Sequence, residues 1–215
     1  LMEQGSGHMS AYMKWKYSGY SWISDIPEIN SSGTYTLQPL TSSTNNCYKI
    51  ASPNSSSEFF VVEYRKTTGT FESTLPGSGL IVYRIDPSLE GNADGPPDEV
   101  YIYRPNGTTT SNGSPWSAYY SQTSGRTAIN DGTNPSSFLQ NGSPGGLNIY
   151  NITAAGNTIS FTVGMSTVGN PSGLTATTIS GTQINLGWQK NSSDNNVVLA
   201  YNTSATFGIP QTGTS

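Results

Sequence analysis

Apolar and polar positions follow two regimes along this chain. From residue 34 to residue 163, apolar side chains alternate with polar ones over short runs broken by Gly, Pro and Asn. A period of two is the signature of a strand with one buried face. The runs fall at 34–40, 47–51, 57–65, 78–86, 99–104, 146–153 and 157–163, and the last two flank an Ala-Ala-Gly-Asn turn as a hairpin. Residues 105–145 are loop-rich, with Asn-Gly pairs beginning at 106, 112 and 141. Ahead of the strands, residues 8–17 read as a short helix: Tyr12, Met13 and Lys16 keep helical spacing, Ser10 can cap its start and Gly19 ends it. The pattern predicts an all-β fold, an antiparallel β-sandwich with one short N-terminal helix.

A second set of runs follows the Gly/Pro/Ser-rich stretch 165–173, which reads as a linker. Strands are expected at 174–179, 183–190 and 196–202, with Ile184, Leu186 and Trp188 on one face. Three strands make half of a sandwich that needs about seven. Residues 174–215 are therefore expected to be a truncated, partial second module, and residues 31–164 the first sandwich.

Composition narrows the class. Only 10% of residues are charged, against about 25% in average domains. The 24 Gly and 13 Pro suggest a linker, but 13 Tyr, 6 Phe and 4 Trp are too many aromatics for a disordered chain. Low charge, many turns and many aromatics fit a secreted or cell-surface protein. The net charge is −4 with no basic cluster, which argues against a nucleic-acid partner. No apolar run approaches the ~20 residues of a membrane-spanning helix. Cys47 is the single cysteine and His8 the single histidine. Cys47 reads as a small buried strand residue rather than a nucleophile, which would need a histidine beside it.

Three strands carry an arginine near their end, Arg65, Arg84 and Arg104, with Glu63, Asp86 and Glu99 close in sequence. Residues i and i+2 share a face, so Glu63–Arg65 and Arg84–Asp86 are expected ion pairs, and neighbouring strands would join them into a ladder. The catalytic alternative pairs Glu63 with Asp86 or Glu58 for glycoside hydrolysis. An adjacent arginine keeps a carboxylate ionised, which suits a general acid poorly, so a structural network is preferred. The loop 86–99 gathers Asp86, Glu90, Asp94, Asp98 and Glu99. It is read either as a solvated acidic loop or as a calcium site through Asp86, Asp94 and Asp98. Its acids lack EF-hand spacing, and the chain has no HExxH zinc motif. Trp116, Tyr119 and Tyr120 sit in a loop-like run, where they either pack over the sandwich edge or stack on sugar rings.

The stretch 57–86, SEFFVVEYRKTTGTFESTLPGSGLIVYRID, resembles a segment of secreted bacterial zinc metalloproteases of the immune inhibitor A type, peptidase family M-six. There, a strand ending in E-x-R is followed by a loop, an LPGxGLL run and a strand ending in ID or VD. The opening LMEQGSGHMSAYMKWKYSGY is similar to the segment after that family's zinc helix, with Met2 matching the methionine turn and His8 in a variable loop. Many relatives carry His where Arg84 stands. The resemblance covers roughly residues 1–164, and the segment from 170 is similar to the start of a fibronectin type III-like module. It implies that residues 1–30 are the tail of a catalytic domain and that zinc belongs to the parent protein only. Met2, Glu63, Arg65 and Arg84 would be structural. The chain is then expected to be a non-catalytic, secreted β-sandwich region that supports an upstream catalytic domain of the same polypeptide or binds surfaces. A module for extracellular polysaccharide, or for a protein substrate, is the alternative.

Overall fold

In the computed structural model, residues 7–17, 22–165 and 172–189 are described. The chain divides into two compact units, Leu1–Met165 and Ser166–Ser215. The first holds helix α1 (Ala11–Tyr17) and strands β1 (Gly33–Leu37), β2 (Cys47–Ala51), β3 (Phe59–Arg65), β4 (Gly79–Ile85), β5 (Val100–Ile102), β6 (Ile129–Asn130), β7 (Asn148–Tyr150) and β8 (Ile159–Val163). They form two antiparallel sheets, in the orders β2-β3-β4-β5 and β1-β8-β7-β6. The all-β expectation holds, and the expected strands 34–40 through 157–163 are all present. β6 is an addition: two residues inside the loop-rich stretch carry no periodicity to read.

Side-chain alternation explains how the layers meet. In β3 and β4, the register pairs Phe60 with Arg84, Val62 with Val82 and Tyr64 with Leu80. Phe60, Val62, Tyr64, Leu80 and Val82 pack with Leu37, Ile149, Ile159, Phe161 and Val163 of the other sheet in one core. The opposite face presents Cys47, Val61, Tyr83 and Ile85, and these pack with Ala11, Tyr12, Ile23, Ile26 and Leu40. β3 is thus covered on both faces, which is why its sequence is a near-continuous apolar run rather than an alternation. The other sheet keeps one wet face. There Thr34 and Thr162 hydroxyls lie 3.2 Å apart, and Thr36 and Ser160 2.8 Å, while Leu37 and Phe161 turn inward.

Buried tyrosines bring their hydroxyls to backbone carbonyls, as a polar tip in an apolar core requires. Tyr64 donates to Gly156 O at 2.7 Å and Tyr103 to Phe138 O at 2.5 Å. These bonds tie the strand layer to the long loops.

In the second unit, β9 (Ser172–Ser180) and β10 (Gln183–Gln189) form an antiparallel hairpin. Ile184 and Leu186 are exposed on it. The expected strand at 196–202 lies outside the described residues.

Gly79 marks a close approach between the sheet and the loop that follows β5. Leu80 and Tyr120 exchange both backbone hydrogen bonds at 2.8 Å, and a Cβ on Gly79 would strike the Tyr120 carbonyl. Gly79→Ala is therefore expected to lower stability by about 1–3 kcal/mol. Urea unfolding should show a lower midpoint at an unchanged slope; an unmoved midpoint would refute the contact.

Candidate functional site

Helix α1 is seven residues long, too short to persist on its own. Its first amide groups have no partner inside the helix, and the sheet supplies part of what is missing. Ala11 N donates to Glu63 Oε2 at 2.7 Å and Tyr12 N to the Tyr83 hydroxyl at 3.2 Å. Met13 N reaches Ser10 Oγ at 3.4 Å, the cap expected from sequence. Tyr83 Oη in turn donates to Glu63 Oε2 at 2.9 Å. A carboxylate is well placed here because a helix start carries partial positive charge.

Glu63 is held by Arg65, whose Nη1 donates to Oε1 at 2.9 Å. The same guanidinium forks onto Glu72 through Nε and Nη2, both at 2.7 Å. Arg65 Nη2 also reaches the His8 carbonyl at 2.9 Å, and His8 N donates to Glu72 Oε1 at 3.0 Å. Glu63, Arg65 and Glu72 are all buried. Burial works against the Arg65 charge, but Glu63 and Glu72 outweigh it and hold the guanidinium ionised. Burial and the Glu63 charge push the Tyr83 hydroxyl far above the usual phenol range. The Glu63–Arg65 pair is the one foreseen from the i, i+2 spacing. Glu72 escaped sequence reading because it sits in a turn with no strand periodicity.

A second carboxylate fastens the other side of α1. Glu99 Oε1 accepts from Tyr12 Oη at 2.6 Å and Lys16 Nζ at 2.5 Å, and Oε2 accepts from Gly91 N at 2.6 Å. Every oxygen of Glu63, Glu72 and Glu99 is thus engaged. The arrangement holds chain segments together, with these three carboxylates serving as hydrogen-bond acceptors. Cys47, opposite Glu63 in the β2–β3 register, has its thiol pushed up to about 12 by burial and by Glu63. Burial favours the neutral thiol, which is the weaker nucleophile. His8 contributes its backbone; its ring lies edge-on to Phe71 at 5.2 Å.

Arg84 departs from expectation. It stands opposite Phe60, whereas Glu63 stands opposite Ile81, so Arg84 and Arg65 project from opposite faces and no ladder joins them. Arg84 Nε lies 3.3 Å from Glu58 Oε2 and its guanidinium 5.4 Å from the Tyr101 ring. Its expected partner Asp86 instead accepts from Ser88 N at 3.0 Å and Ser88 Oγ at 2.6 Å. The glycosidase pair finds no support in the register: Glu58 precedes β3 and Asp86 follows β4, five residues along the chain from Glu63 and from its partner Ile81 respectively.

The acidic loop disperses its charges. Asp94 is exposed, Asp98 half-buried and Glu99 turned inward to α1. Among the described residues, no group of three His, Cys, Asp or Glu side chains gathers to hold a metal ion. Asn92 forks onto the β5 backbone, Nδ2 to Val100 O at 2.7 Å and Oδ1 from Val100 N at 3.0 Å. Between this loop and residues 108–112 lies an open cleft of about 440 Å³ lined by Asp98, Tyr101, Ile102, Arg104 and Asn112 among others. Of these, sequence reading had singled out Asp98 as a metal ligand; the cleft itself arises from loop packing.

The aromatic trio divides. Trp116 stands on a single 3-10 turn, Pro115–Ser117, and is 72% exposed. Tyr119 is half-buried against Gly77. Tyr120 is 1% exposed and belongs to the core, a correction to its expected stacking role: its backbone pairing with Leu80 draws it inward. Arg126 braces this arch, donating from Nη2 to the Ser117 and Tyr119 carbonyls and lying 4.3 Å over the Tyr120 ring. Met2 lies outside the described residues.

Glu99 yields a pH test. Burial raises its carboxyl pKa, but the bonds from Lys16, Tyr12 and Gly91 outweigh burial and hold it below the usual value. A carboxyl lowered on folding contributes fully above its unfolded pKa of about 4.3, and that contribution is lost as pH falls through the folded value. Glu99→Gln should cost about 1–3 kcal/mol at pH 7, with the gap to the parent narrowing toward pH 3 in urea unfolding. A gap independent of pH would contradict this role.

Set beside known proteins, the chain matches no family model, no curated protein and no solved structure.

Proposed function

We propose that this chain is the non-catalytic β-sandwich region of a secreted zinc metalloprotease-like protein, and that it fixes the segment entering it rigidly against a sheet. The observation that carries this reading is the bond set running from Glu63, Arg65 and Glu72 to the backbone of His8 and Ala11. The two stretches that carry the family resemblance, residues 1–20 and 57–86, are the ones these bonds join. Among the described residues, buried Glu63, Glu72 and Glu99 are engaged in holding chain segments together, which supports a supporting role. Its partner on this reading is an upstream catalytic domain of the same polypeptide, and zinc belongs there. The 215-residue chain, supplied with zinc and incubated with casein, should release no peptides; EDTA-sensitive proteolysis would overturn the proposal.

A second reading, binding of extracellular polysaccharide, is favoured by Trp116. It combines high exposure with a turn braced by Arg126, and a rigid apolar face suits stacking on a sugar ring. Electrophoresis through gels containing soluble glucans should retard the protein, and Trp116→Ala should relieve the retardation. Equal mobility of the two forms in every glucan gel would remove Trp116 from the site.

A further inference from the structure

Most buried charges in the first unit have found a partner. Glu63, Glu72 and Arg65 are closed on one another and Glu99 on Lys16, and Arg84 lies in ion-pair range of Glu58 with its buried Nη1 taking no hydrogen-bond partner among the described residues. The cleft beside β5 departs from this rule. Its two charged groups of interest, Asp98 and Arg104, are half-buried and in no ion pair among the described residues. The Asp98 backbone carbonyl accepts from Arg84 at 3.4 Å, while its carboxylate takes no hydrogen bond from the described residues. Arg104 spends Nη1 on the Asn112 carbonyl at 3.2 Å, leaving donors for the cleft. Burial depresses the Arg104 pKa, while nearby Tyr101 and Asp98 raise it.

The walls are built rather than accidental. Tyr101 Oη donates to the Ser111 carbonyl at 3.0 Å, fixing the 108–112 turn, whose ends Thr108 and Ser111 pair with each other. Gly107 admits the Tyr101 hydroxyl and Gly95 admits the Asp98 carboxylate at distances no Cβ would permit. The third charged group of the lining, Glu99, is already neutralised by Lys16.

We infer that this cleft binds a neutral sugar unit of an oligosaccharide, with Asp98 accepting and Arg104 donating hydrogen bonds to its hydroxyls. The chemistry follows from the lining. Asp98 only accepts and Arg104 only donates, so a ligand must offer both functions close together, as vicinal hydroxyls do. The two charges cancel, which favours no net charge on the ligand. Threonine and serine hydroxyls line one wall, and partly buried Met13 adds apolar surface at the rim, while Tyr101 and Ile102 are buried beneath the floor. The volume, about 440 Å³, falls within the roughly 300–1,000 Å³ of small-molecule sites. This inference rests on the polysaccharide reading for its ligand class and adds a second set of contacts beside the one at Trp116.

The test is amide shift mapping by NMR on the full chain, titrated separately with cellohexaose, xylohexaose, mannohexaose and chitohexaose, and with diglycine as a zwitterionic control. At least one saccharide should move amides across 95–112. Asp98→Asn and Arg104→Gln should each weaken that binding at least tenfold, the loss of one charge-assisted hydrogen bond, with unchanged urea midpoints. Shifts confined to 114–120 and abolished by Trp116→Ala would overturn the cleft and leave the polysaccharide reading standing. No shift with any saccharide would overturn both. Shifts in 95–112 from diglycine alone would overturn the sugar in favour of a zwitterionic ligand.

Discussion

The Arg65 guanidinium, buried between Glu63 and Glu72, is the interaction on which the arrangement of this sandwich depends. Desolvating a charge costs several kcal/mol, and only close, well-directed partners repay it. Arg65 has both carboxylates within 2.9 Å, so none of the three groups is left alone. Loss of any one would strand the others in a dry layer. The network also demands that the residues before α1 arrive against the end of β3 and the turn carrying Glu72, some 57–64 positions further along the chain. It thus specifies position as much as it adds stability, because few alternative packings would satisfy three buried charges at once.

The same layer shows why the helix exists at all. Seven residues without a preceding acidic turn have little intrinsic tendency to stay helical. Here two of the unpaired amides at the start of α1 are met by β3 and β4, and Tyr12 and Lys16 are fastened by Glu99. The helix is therefore a product of the sheet beneath it. Burial of Ala11 and Tyr12 against Val61 and Tyr83 completes the outer layer and turns the sandwich into a three-layer structure along its β2-β3-β4-β5 side.

Strand positions were legible because apolar alternation is a local property. β2, β3, β4 and β8 announce themselves within five to seven residues, and Glu63–Arg65 follows from two residues on one strand. Arg84 was assigned the wrong partner because the choice depends on register. Phe60 lies opposite Arg84, which brings Glu58 within reach, and no single strand reveals that. Glu72, the Tyr120 anchor and the β5 cleft share this limitation, since each is created by chain segments meeting after long excursions. Tyr119 and Tyr120 are the sharpest case: adjacent identical residues in a loop, one left partly wet and the other drawn into the core by two backbone bonds to Leu80.

The Asn92 fork on Val100 has a consequence for the whole sheet. β5 is its last strand on that side, and an outer strand normally presents unpaired backbone groups on which a foreign strand can template itself. Asn92 carries on its side chain the same donor and acceptor that a neighbouring strand would bring, and it occupies both groups of Val100. The sheet is terminated there by an amide from its own loop, a molecular end-stop against edge-to-edge aggregation.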